Sequence, residues 1–211
     1  MKIGVFDSGK GGTTVLEAIK RKLPDEEYLY IGDSKNCPYG EKTDEKLKKI
    51  VYDIVMQLKN SGADVIVIAC NTATTRCIDY LRATFPDTVF VGTEPAINLA
   101  IKKNAKKILV LATPGTAKSE KLLLMIEQNK TDQIIDVLAC PGLADAVEKD
   151  QDVDKVLHSL LDDVSKDYDV IVLGCTHYSL IKEKIQEFFP GSELIDGNEG
   201  VANRVVELVR D

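Results

Sequence analysis

The sequence lacks the features of several large protein classes. It has only two histidines, and its five cysteines include no C-x2-C pair, which argues against a zinc site. No apolar run approaches the roughly 20 residues needed to cross a bilayer. Basic residues are not in excess, because the net charge is −7. We therefore expect no metal, no membrane span and no nucleic-acid partner.

The composition is otherwise that of a globular protein, with 44% hydrophobic and 29% charged residues. The first six residues read MKIGVF, which predicts a strand rather than a signal peptide. Five is an odd number of cysteines, so complete disulfide pairing within the chain is impossible. With no export signal in the sequence, we expect a cytoplasmic protein with free thiols.

A long internal repeat is the main feature of what is present. Residues 64–72 read DVIVIACNT, and residues 169–177 read DVIVLGCTH. The two cysteines are separated by 175 − 70 = 105 positions. Residues 2–9 match residues 107–115 at almost the same offset, as do residues 37–38 with 140–141 and 89–94 with 193–199. Four matches in the same order indicate a duplicated domain rather than a short-period array.

Strand-like and helix-like segments alternate along the chain. Short runs rich in Val, Ile and Leu begin near Ile3, Tyr28, Val65, Val89, Ile108, Ile134, Val170 and Leu194. Amphipathic segments lie between them, for example over residues 47–58, with Thr43 as the predicted helix cap.

This alternation predicts the fold class α/β, with two similar pseudo-symmetric domains. Each domain is expected to be a parallel sheet flanked by helices, with the active site in the cleft between the two. The predicted first domain is 1–94 plus about 200–211 and carries Cys70. The predicted second domain is 95–199 and carries Cys175.

The repeated thiols are the strongest catalytic candidates. Cys70 and Cys175 each end a predicted strand and precede a predicted helix, and a helix N-terminus lowers a thiol pKa toward neutrality. The alternative for a single such cysteine is a buried structural role. Two matched thiols can face each other across a substrate, which suits removal of a proton from one side of a carbon and its return from the other.

A glycine-rich turn follows the first predicted strand. Residues 7–14 read DSGKGGTT, which is neither a P-loop nor a dinucleotide fingerprint. We interpret it as a carboxylate-binding turn that presents backbone N–H groups to an anion. Asp7 is then available to orient a basic group or the substrate ammonium. The alternative is that Asp7 and Ser8 only cap the following helix.

The other histidines and cysteines differ in expected importance. His177 lies two positions after Cys175 and is predicted to tune that thiol, with a core histidine as the alternative. His158 is given no role. Cys77 lies in a helical segment and is expected to pack in the core. Cys37 and Cys140 each precede a proline and are expected to be structural.

Six short motifs together resemble those of the glutamate racemases, in the aspartate/glutamate racemase superfamily. The motifs lie in family order between residue 3 and about residue 198. They are GVFDSG at 4–9, GD at 32–33 followed by PYG at 38–40, ACNTA at 69–73, GTEPA at 92–96, ATPGT at 112–116 and GCTHY at 174–178. The resemblance implies two pseudo-symmetric α/β domains and a reaction that needs no cofactor.

The resemblance also implies roles for individual residues. Cys70 is expected to exchange the proton of D-glutamate and Cys175 that of L-glutamate. Asp7 would pair with the first thiol, while Glu148 and His177 would assist the second. Contacts with the substrate are implied for Asp7, Ser8, Tyr39, Gly40, Asn71, Thr72, Thr176 and His177. The product D-glutamate feeds peptidoglycan synthesis, which implies a role in the bacterial cell wall.

The sequence departs from the family pattern at a few positions. Ser179 stands where the family usually has proline, and Lys10 and Thr13 replace apolar residues in the glycine turn. The family pattern also continues beyond Asp211 with a C-terminal segment that packs on the first domain.

We therefore expect a cofactor-independent glutamate racemase that works through two cysteines. Its partner would be the small-molecule substrate glutamate, and a homodimer is left open. The alternatives are an aspartate or hydantoin racemase of the same superfamily, and a catalytically weak amino-acid-binding protein. A thiol hydrolase using Cys175 and His177 is a further alternative, but it leaves the duplicated Cys70 unexplained.

Overall fold

The computed structural model describes residues 1–129 and 132–210, which form two four-stranded parallel sheets. The first sheet contains β1 (Lys2–Asp7), β2 (Glu27–Gly32), β3 (Val65–Ile68) and β4 (Val89–Gly92). The second contains β5 (Lys107–Ala112), β6 (Ile134–Ala139), β7 (Val170–Gly174) and β8 (Glu193–Ile195). All eight strands begin within one residue of the predicted positions.

The two sheets have the same topology, which confirms the predicted duplication. The strand orders are β2-β1-β3-β4 and β6-β5-β7-β8, with every pair parallel. β1 begins at Lys2 and β5 at Lys107, a separation of 107 − 2 = 105 that equals the spacing of Cys70 and Cys175. The predicted α/β fold of two similar parallel sheets is therefore correct.

Helices connect the strands. They are α1 (Thr13–Lys22), α2 (Asp44–Asn60), α3 (Asn71–Thr84), α4 (Ile97–Lys102), α5 (Pro114–Ala117), α6 (Glu120–Asn129), α7 (Leu143–Glu148), α8 (Val153–Leu161), α9 (Thr176–Ser179), α10 (Lys182–Phe188) and α11 (Asn198–Arg210). Short 3-10 turns lie at Lys10–Gly12, Ser34–Asn36 and Tyr39–Glu41. Helix α2 has the predicted cap, because Thr43 Oγ1 accepts a hydrogen bond from the Lys46 N–H at 3.4 Å.

Each sheet is covered on both faces, since each contributes to two clusters of buried apolar side chains. Alternate residues of a strand point to opposite faces, so β1 sends Phe6 into one cluster and Val5 into the other. Helix α11 follows the second sheet in the chain but packs on the first, with Val201 and Val205 in the cluster that contains Val5. The division into domains at residue 94 stays a prediction, and Asp211 lies outside the described residues.

The carboxyl ends of the two sheets meet, which brings the segments after β1, β3 and β7 together. Hydrogen bonds cross between the two sheets at this end. The Thr176 hydroxyl, after β7, donates to Asp7, and the Lys10 N–H, after β1, donates to Glu148. Parallel sheets bind ligands at this end, so the fold places the candidate site between the sheets. Within residues 1–129 and 132–210, no helix combines the length and apolar character required to span a bilayer.

Candidate active site

Cys70 and Cys175 occupy equivalent places in the two sheets. Cys70 immediately precedes α3 after the end of β3, and Cys175 lies between β7 and α9. Both are free thiols, with exposed fractions of 5% and 7%. Burial, followed by the charge that a Cys70 thiolate would carry, raises the pKa of Cys175. The predicted pair of thiols is therefore present as two buried groups at equivalent strand ends.

The expectation that a helix N-terminus lowers the pKa of these thiols is wrong in this closed arrangement. Burial, followed by the charge of Asp7, raises the pKa of Cys70 to about 12, although N–H groups of Ala73 and Thr72 act in the opposite direction. Burial also raises the pKa of Cys175 well above its ordinary value. Loss of hydration penalises the thiolate more than the helix N-terminus stabilises it. Both thiols are therefore protonated at neutral pH.

Asp7 is the last residue of β1 and lies beneath the glycine-rich turn. Its Oδ2 atom accepts hydrogen bonds from the backbone N–H groups of Gly9 at 3.1 Å and Gly12 at 3.0 Å. Its Oδ1 atom accepts a bond of 3.1 Å from the Thr176 hydroxyl. The carboxylate thus holds the turn that precedes α1. Substrate binding by the turn stays a prediction. Complete burial raises the pKa of Asp7.

Glu148 and His177 form a pair beside Cys175. Glu148 Oε2 lies 2.7 Å from His177 Nε2, and His177 Nδ1 lies 3.8 Å from Cys175 Sγ. The Glu148 side chain is only 7% exposed, so it is not the surface carboxylate that its local sequence indicates. Burial acts to raise its pKa, but hydrogen bonds from Ser34, Lys10 and His177 outweigh burial and lower it.

The carboxylates of Glu148 and Asp7 each accept hydrogen bonds from residues that follow strands of the opposite sheet. Glu148, at the end of α7, accepts the Lys10 N–H at 2.8 Å and a bond from the Ser34 hydroxyl. Asp7, at the end of β1, accepts the Thr176 hydroxyl. The two sheets are thus linked through the same groups that surround the thiols.

Close approach across the site explains two of the glycines. A Cβ atom on Gly9 would lie 2.3 Å from the Glu148 carboxylate, and one on Gly11 would lie 2.6 Å from the backbone nitrogen of His177. Real Cβ atoms do not approach other atoms this closely. Gly11 is therefore required, because the backbone of His177 leaves no room for a side chain there, while Gly9 leaves room for the Glu148 carboxylate in its observed position.

A group of three threonine hydroxyls also joins the two sides. Thr72 Oγ1 lies 2.8 Å from Thr113 Oγ1 and 3.1 Å from Thr116 Oγ1, and all three residues are buried. Thr72 was predicted to contact substrate. Thr113 and Thr116 belong to the family motif ATPGT, in which nothing local distinguishes a site hydroxyl from a helix cap. Thr113 does cap α5.

The structure places the remaining predicted substrate residues as follows. Ser8 Oγ lies 3.7 Å from Cys70 Sγ. The Tyr39 hydroxyl donates to Asp33 Oδ2 at 2.8 Å, and Gly40 packs against the backbone of Gly115. The Asn71 amide donates to the Thr93 carbonyl at 3.2 Å. Ser8 contacts the Cys70 thiol, and Asn71 and Thr176 each follow one of the two thiols in the chain. Contacts of all these residues with a substrate stay predictions.

The other cysteines differ from one another. Cys77 and Cys140 are buried among apolar side chains, as expected. Cys37, expected to be structural, instead has its sulfur close to Glu148 and His177, and the three donor atoms lie within 4.8 Å of one another. These three residues have the chemistry to hold a metal ion. The sequence gives no signal of this group because it is assembled from three distant segments.

Comparison with known proteins gives a consistent result. A family model described as Asp/Glu/Hydantoin racemase matches residues 3–205. The chain is 42% identical to a glutamate racemase of Campylobacter curvus, over 100% of this chain and 84% of that protein.

Solved structures show the same likeness. A glutamate racemase of Escherichia coli, in complex with L-glutamate and the activator UDP-MurNAc-ala, superposes with a TM-score of 0.89. It is 32% identical, over 99% of this chain and 82% of that one. A glutamate racemase of Thermus thermophilus, in complex with beta-chloro-D-alanine, has a TM-score of 0.82 and 34% identity, over 99% and 80% of the two chains. The chain therefore belongs to the Asp/Glu/Hydantoin racemase family and is an amino-acid isomerase.

Proposed function

We propose that this protein interconverts L- and D-glutamate by a two-cysteine proton transfer. The observation that carries the proposal is the matched placement of Cys70 and Cys175 at equivalent strand ends of two duplicated sheets. A hydrolase would need one thiol, whereas inversion at a carbon needs one group on each side of it. Duplication with the thiol kept in both copies fits the second requirement.

The proposed reaction conserves protons. One thiol first gives its proton to a group in the site and becomes a thiolate. In the L-to-D direction the Cys175 thiolate takes the Cα proton, so the Cα–H bond breaks and an S–H bond forms. Cys70 then gives its own proton to the opposite face of the carbanion. The roles reverse for the D-to-L direction.

Neighbouring groups support the proton transfers. His177 lies next to Cys175 and is held by Glu148, so it is the proposed proton acceptor for that thiol. Asp7 acts electrostatically on Cys70 and is the proposed partner on the other side. The Asp7 carboxylate also accepts hydrogen bonds from Gly9 and Gly12, so it keeps the glycine-rich turn in the same conformation between turnovers.

Developing charge on the substrate must be stabilised by the protein. The carbanion shares its charge with the substrate carboxylate, so donors aimed at that carboxylate lower the barrier. The proposed donors are the hydroxyls of Ser8, Thr72 and Thr176 and the N–H groups beside Asn71. Tyr39 and Gly40 complete the proposed binding surface.

Access to this site requires movement. Asp7, Cys70, Cys175 and His177 are each at most 7% exposed. Glutamate can reach both thiols only if the two sheets first move apart. The sheets would then move together again around the bound substrate. Closure would exclude water and strengthen the electrostatic interactions within the site.

Glutamate is the proposed substrate because the similar proteins described above are named glutamate racemases. D-Glutamate supply for peptidoglycan follows from the same resemblance and stays a prediction, as do the cytoplasmic location and a homodimer. Aspartate is the competing substrate, and turnover of the two amino acids at equal concentration distinguishes them.

The direct test is incubation with L-glutamate in D2O, with Cα deuteration followed by NMR and the loss of optical rotation followed in parallel. We expect both to proceed together. Cys70→Ser and Cys175→Ser should each lower the rate by about 10²- to 10⁴-fold, the usual contribution of a general acid or base.

Cys77→Ser is the matched control, since Cys77 is buried in α3 and a serine there can bond within the helix. It should retain wild-type turnover. Full racemisation in Cys70→Ser would refute the two-cysteine mechanism. Glutamate binding without exchange in the wild-type protein would refute the proposed function.

A further inference from the structure

Cys37, Glu148 and His177 form a cluster of three different metal-binding groups. The cluster contains one thiol sulfur, one carboxylate oxygen and one imidazole nitrogen, all within 4.8 Å of one another. Cys37 lies in the loop after β2 of the first sheet, while Glu148 ends α7 and His177 lies in α9, both beside the second sheet. Three donors of these types, with a fourth position left for water, match the coordination that zinc takes in proteins.

We propose that this cluster binds a zinc-like divalent ion, which ties the two sheets together and blocks the site. The ion would be coordinated by Cys37 Sγ, His177 Nε2 and a Glu148 carboxylate oxygen. The proposed reaction does not use Cys37, but it does use Glu148 and His177, so the bound ion would occupy two groups that the reaction needs.

The distances suit such an ion after small movements. Zinc bonds of about 2.0 to 2.3 Å place tetrahedral donor atoms about 3.3 to 3.7 Å apart. The His177 and Glu148 donors are now 2.7 Å apart and would separate slightly. The Cys37 sulfur lies within 4.8 Å of the other two donors, so it would approach them by at most about 1.5 Å to reach tetrahedral spacing.

The surroundings already orient two of the three ligands. Glu148 accepts bonds from the Ser34 hydroxyl and from the Lys10 N–H at 2.8 Å. With Nε2 on the metal, the proton of His177 lies on Nδ1, which faces Cys175 Sγ at 3.8 Å. Groups that orient metal ligands in this way raise the affinity for the metal, because the ligands lose less conformational entropy on binding.

Metal binding releases one proton from the protein. Cys37 loses its thiol proton to solvent as the S–metal bond forms, and Glu148 binds as a carboxylate. His177 binds through the lone pair of a neutral ring. The bound ion then occupies the imidazole and carboxylate next to Cys175, so we expect inhibition that a chelator reverses.

The test uses the full chain with Co²⁺ and Zn²⁺. We expect Co²⁺ to give an intense sulfur-to-cobalt charge-transfer band and visible bands of tetrahedral geometry, both displaced by Zn²⁺. Cys37→Ser should remove the charge-transfer band and weaken Zn²⁺ binding at least about tenfold, since loss of even an outer-shell partner costs 10- to 100-fold. Affinity is measured by competition with a chromophoric chelator.

Matched variants decide the assignment. Cys77→Ser should bind Zn²⁺ as the wild type does, because that thiol is buried in the first core. Cys37→Ser should keep its turnover and become less sensitive to Zn²⁺. A charge-transfer band that persists in Cys37→Ser, or that disappears only in Cys70→Ser or Cys175→Ser, would overturn the proposal, as would no band in the wild type.

The two proposals fail in different ways. If the protein binds Co²⁺ through Cys37 but does not racemise glutamate, the metal site stands and the proposed function falls. If turnover is normal and no concentration of Zn²⁺ that fills a Cys37-dependent site inhibits it, the blocking role is wrong.

Discussion

His177 lies between Glu148 and Cys175, with Nε2 2.7 Å from the Glu148 carboxylate and Nδ1 3.8 Å from the Cys175 sulfur. The imidazole ring therefore connects two groups. One is the Glu148 carboxylate, which accepts hydrogen bonds from Lys10 and Ser34 beside the first sheet, and the other is the Cys175 thiol after β7. In this arrangement the carboxylate orients the imidazole, and the imidazole faces the Cys175 thiol.

Glu148→Gln should lower kcat by about 10²-fold or more with a much smaller change in KM. The amide keeps the size of the side chain but removes the charge that orients and stabilises the imidazolium, as in carboxylate–histidine pairs of other enzymes. Initial rates with each enantiomer provide the measurement. kcat/KM must fall equally in both directions, because the two enantiomers have equal free energy.

Asp150→Asn is the control for that substitution. Asp150 pairs with Lys10 at 2.6 Å across the same boundary, but its side chain is 88% exposed. An exposed ion pair contributes about 1 kcal/mol or less, so activity should be unchanged. An equal loss in both variants would indicate a general effect of negative charge rather than a role for Glu148.

Gly9→Ala should impair activity more than stability. Its Cβ would lie 2.3 Å from the Glu148 carboxylate, and the overlap is relieved if that flexible side chain moves away from His177. We expect turnover to fall at least about tenfold, while overpacking costs about 1 to 3 kcal/mol in the free energy of unfolding at most. Turnover and urea unfolding measure the two effects.

Gly200→Ala is the matched glycine control. A Cβ at this position in α11 meets nothing within 4 Å, and alanine in a helix stabilises by up to about 1 kcal/mol over glycine. Activity should be unchanged. Normal turnover in Gly9→Ala would contradict the importance of the Glu148 position.

Thr72→Val should cost about 1 kcal/mol in the free energy of unfolding and raise KM. The hydroxyl bonds with Thr113 and Thr116 would be lost, but those two hydroxyls remain bonded to each other at 3.1 Å. Thr84→Val lies in the same helix on the exposed surface and should be nearly neutral. An unchanged KM would remove Thr72 from the proposed substrate contacts.

The raised pKa of Cys70 predicts a pH-dependent stability. In the unfolded chain this thiol ionises near 9.0, and in the folded protein near 12. Folding therefore retains a proton that the unfolded chain loses, so this contribution is complete below pH 9 and is lost as pH rises toward 12. The slope is at most about 1.4 kcal/mol per pH unit.

Urea unfolding at a series of pH values from 8 to 10 tests this linkage. Stability should fall less steeply above pH 9 in Cys70→Ala than in the wild type. Thr84→Val should follow the wild-type slope. Equal slopes in Cys70→Ala and the wild type would mean that the Cys70 thiol is not protected from ionisation by folding.

Local sequence patterns predicted the elements of this fold closely. The strands beginning near Val65 and Val170 were recognisable because four consecutive β-branched or leucine residues end at a small residue and a cysteine. The helix at α2 followed from its apolar spacing and the Thr43 cap. These features depend on neighbours in the chain, so a sequence contains them in readable form.

Contacts between distant segments were less accessible. Glu148 was identified only through the family resemblance, because nothing near it in the sequence shows that Ser34, Lys10 and His177 converge on its carboxylate. The direction of the Cys70 pKa was also wrong, since helix position is a local property while desolvation depends on everything packed around the thiol.

The sequence by itself determined the duplicated α/β fold, the ends of the strands and the positions of the two thiols, because repeats and hydrophobic periodicity are properties of the order of residues in the chain. Only the tertiary structure decided that Cys37 joins Glu148 and His177, that Gly11 has no room for a side chain and that both thiols are buried. Those facts arise where segments more than 100 residues apart pack together, and the distances and hydration created there have no counterpart in local sequence.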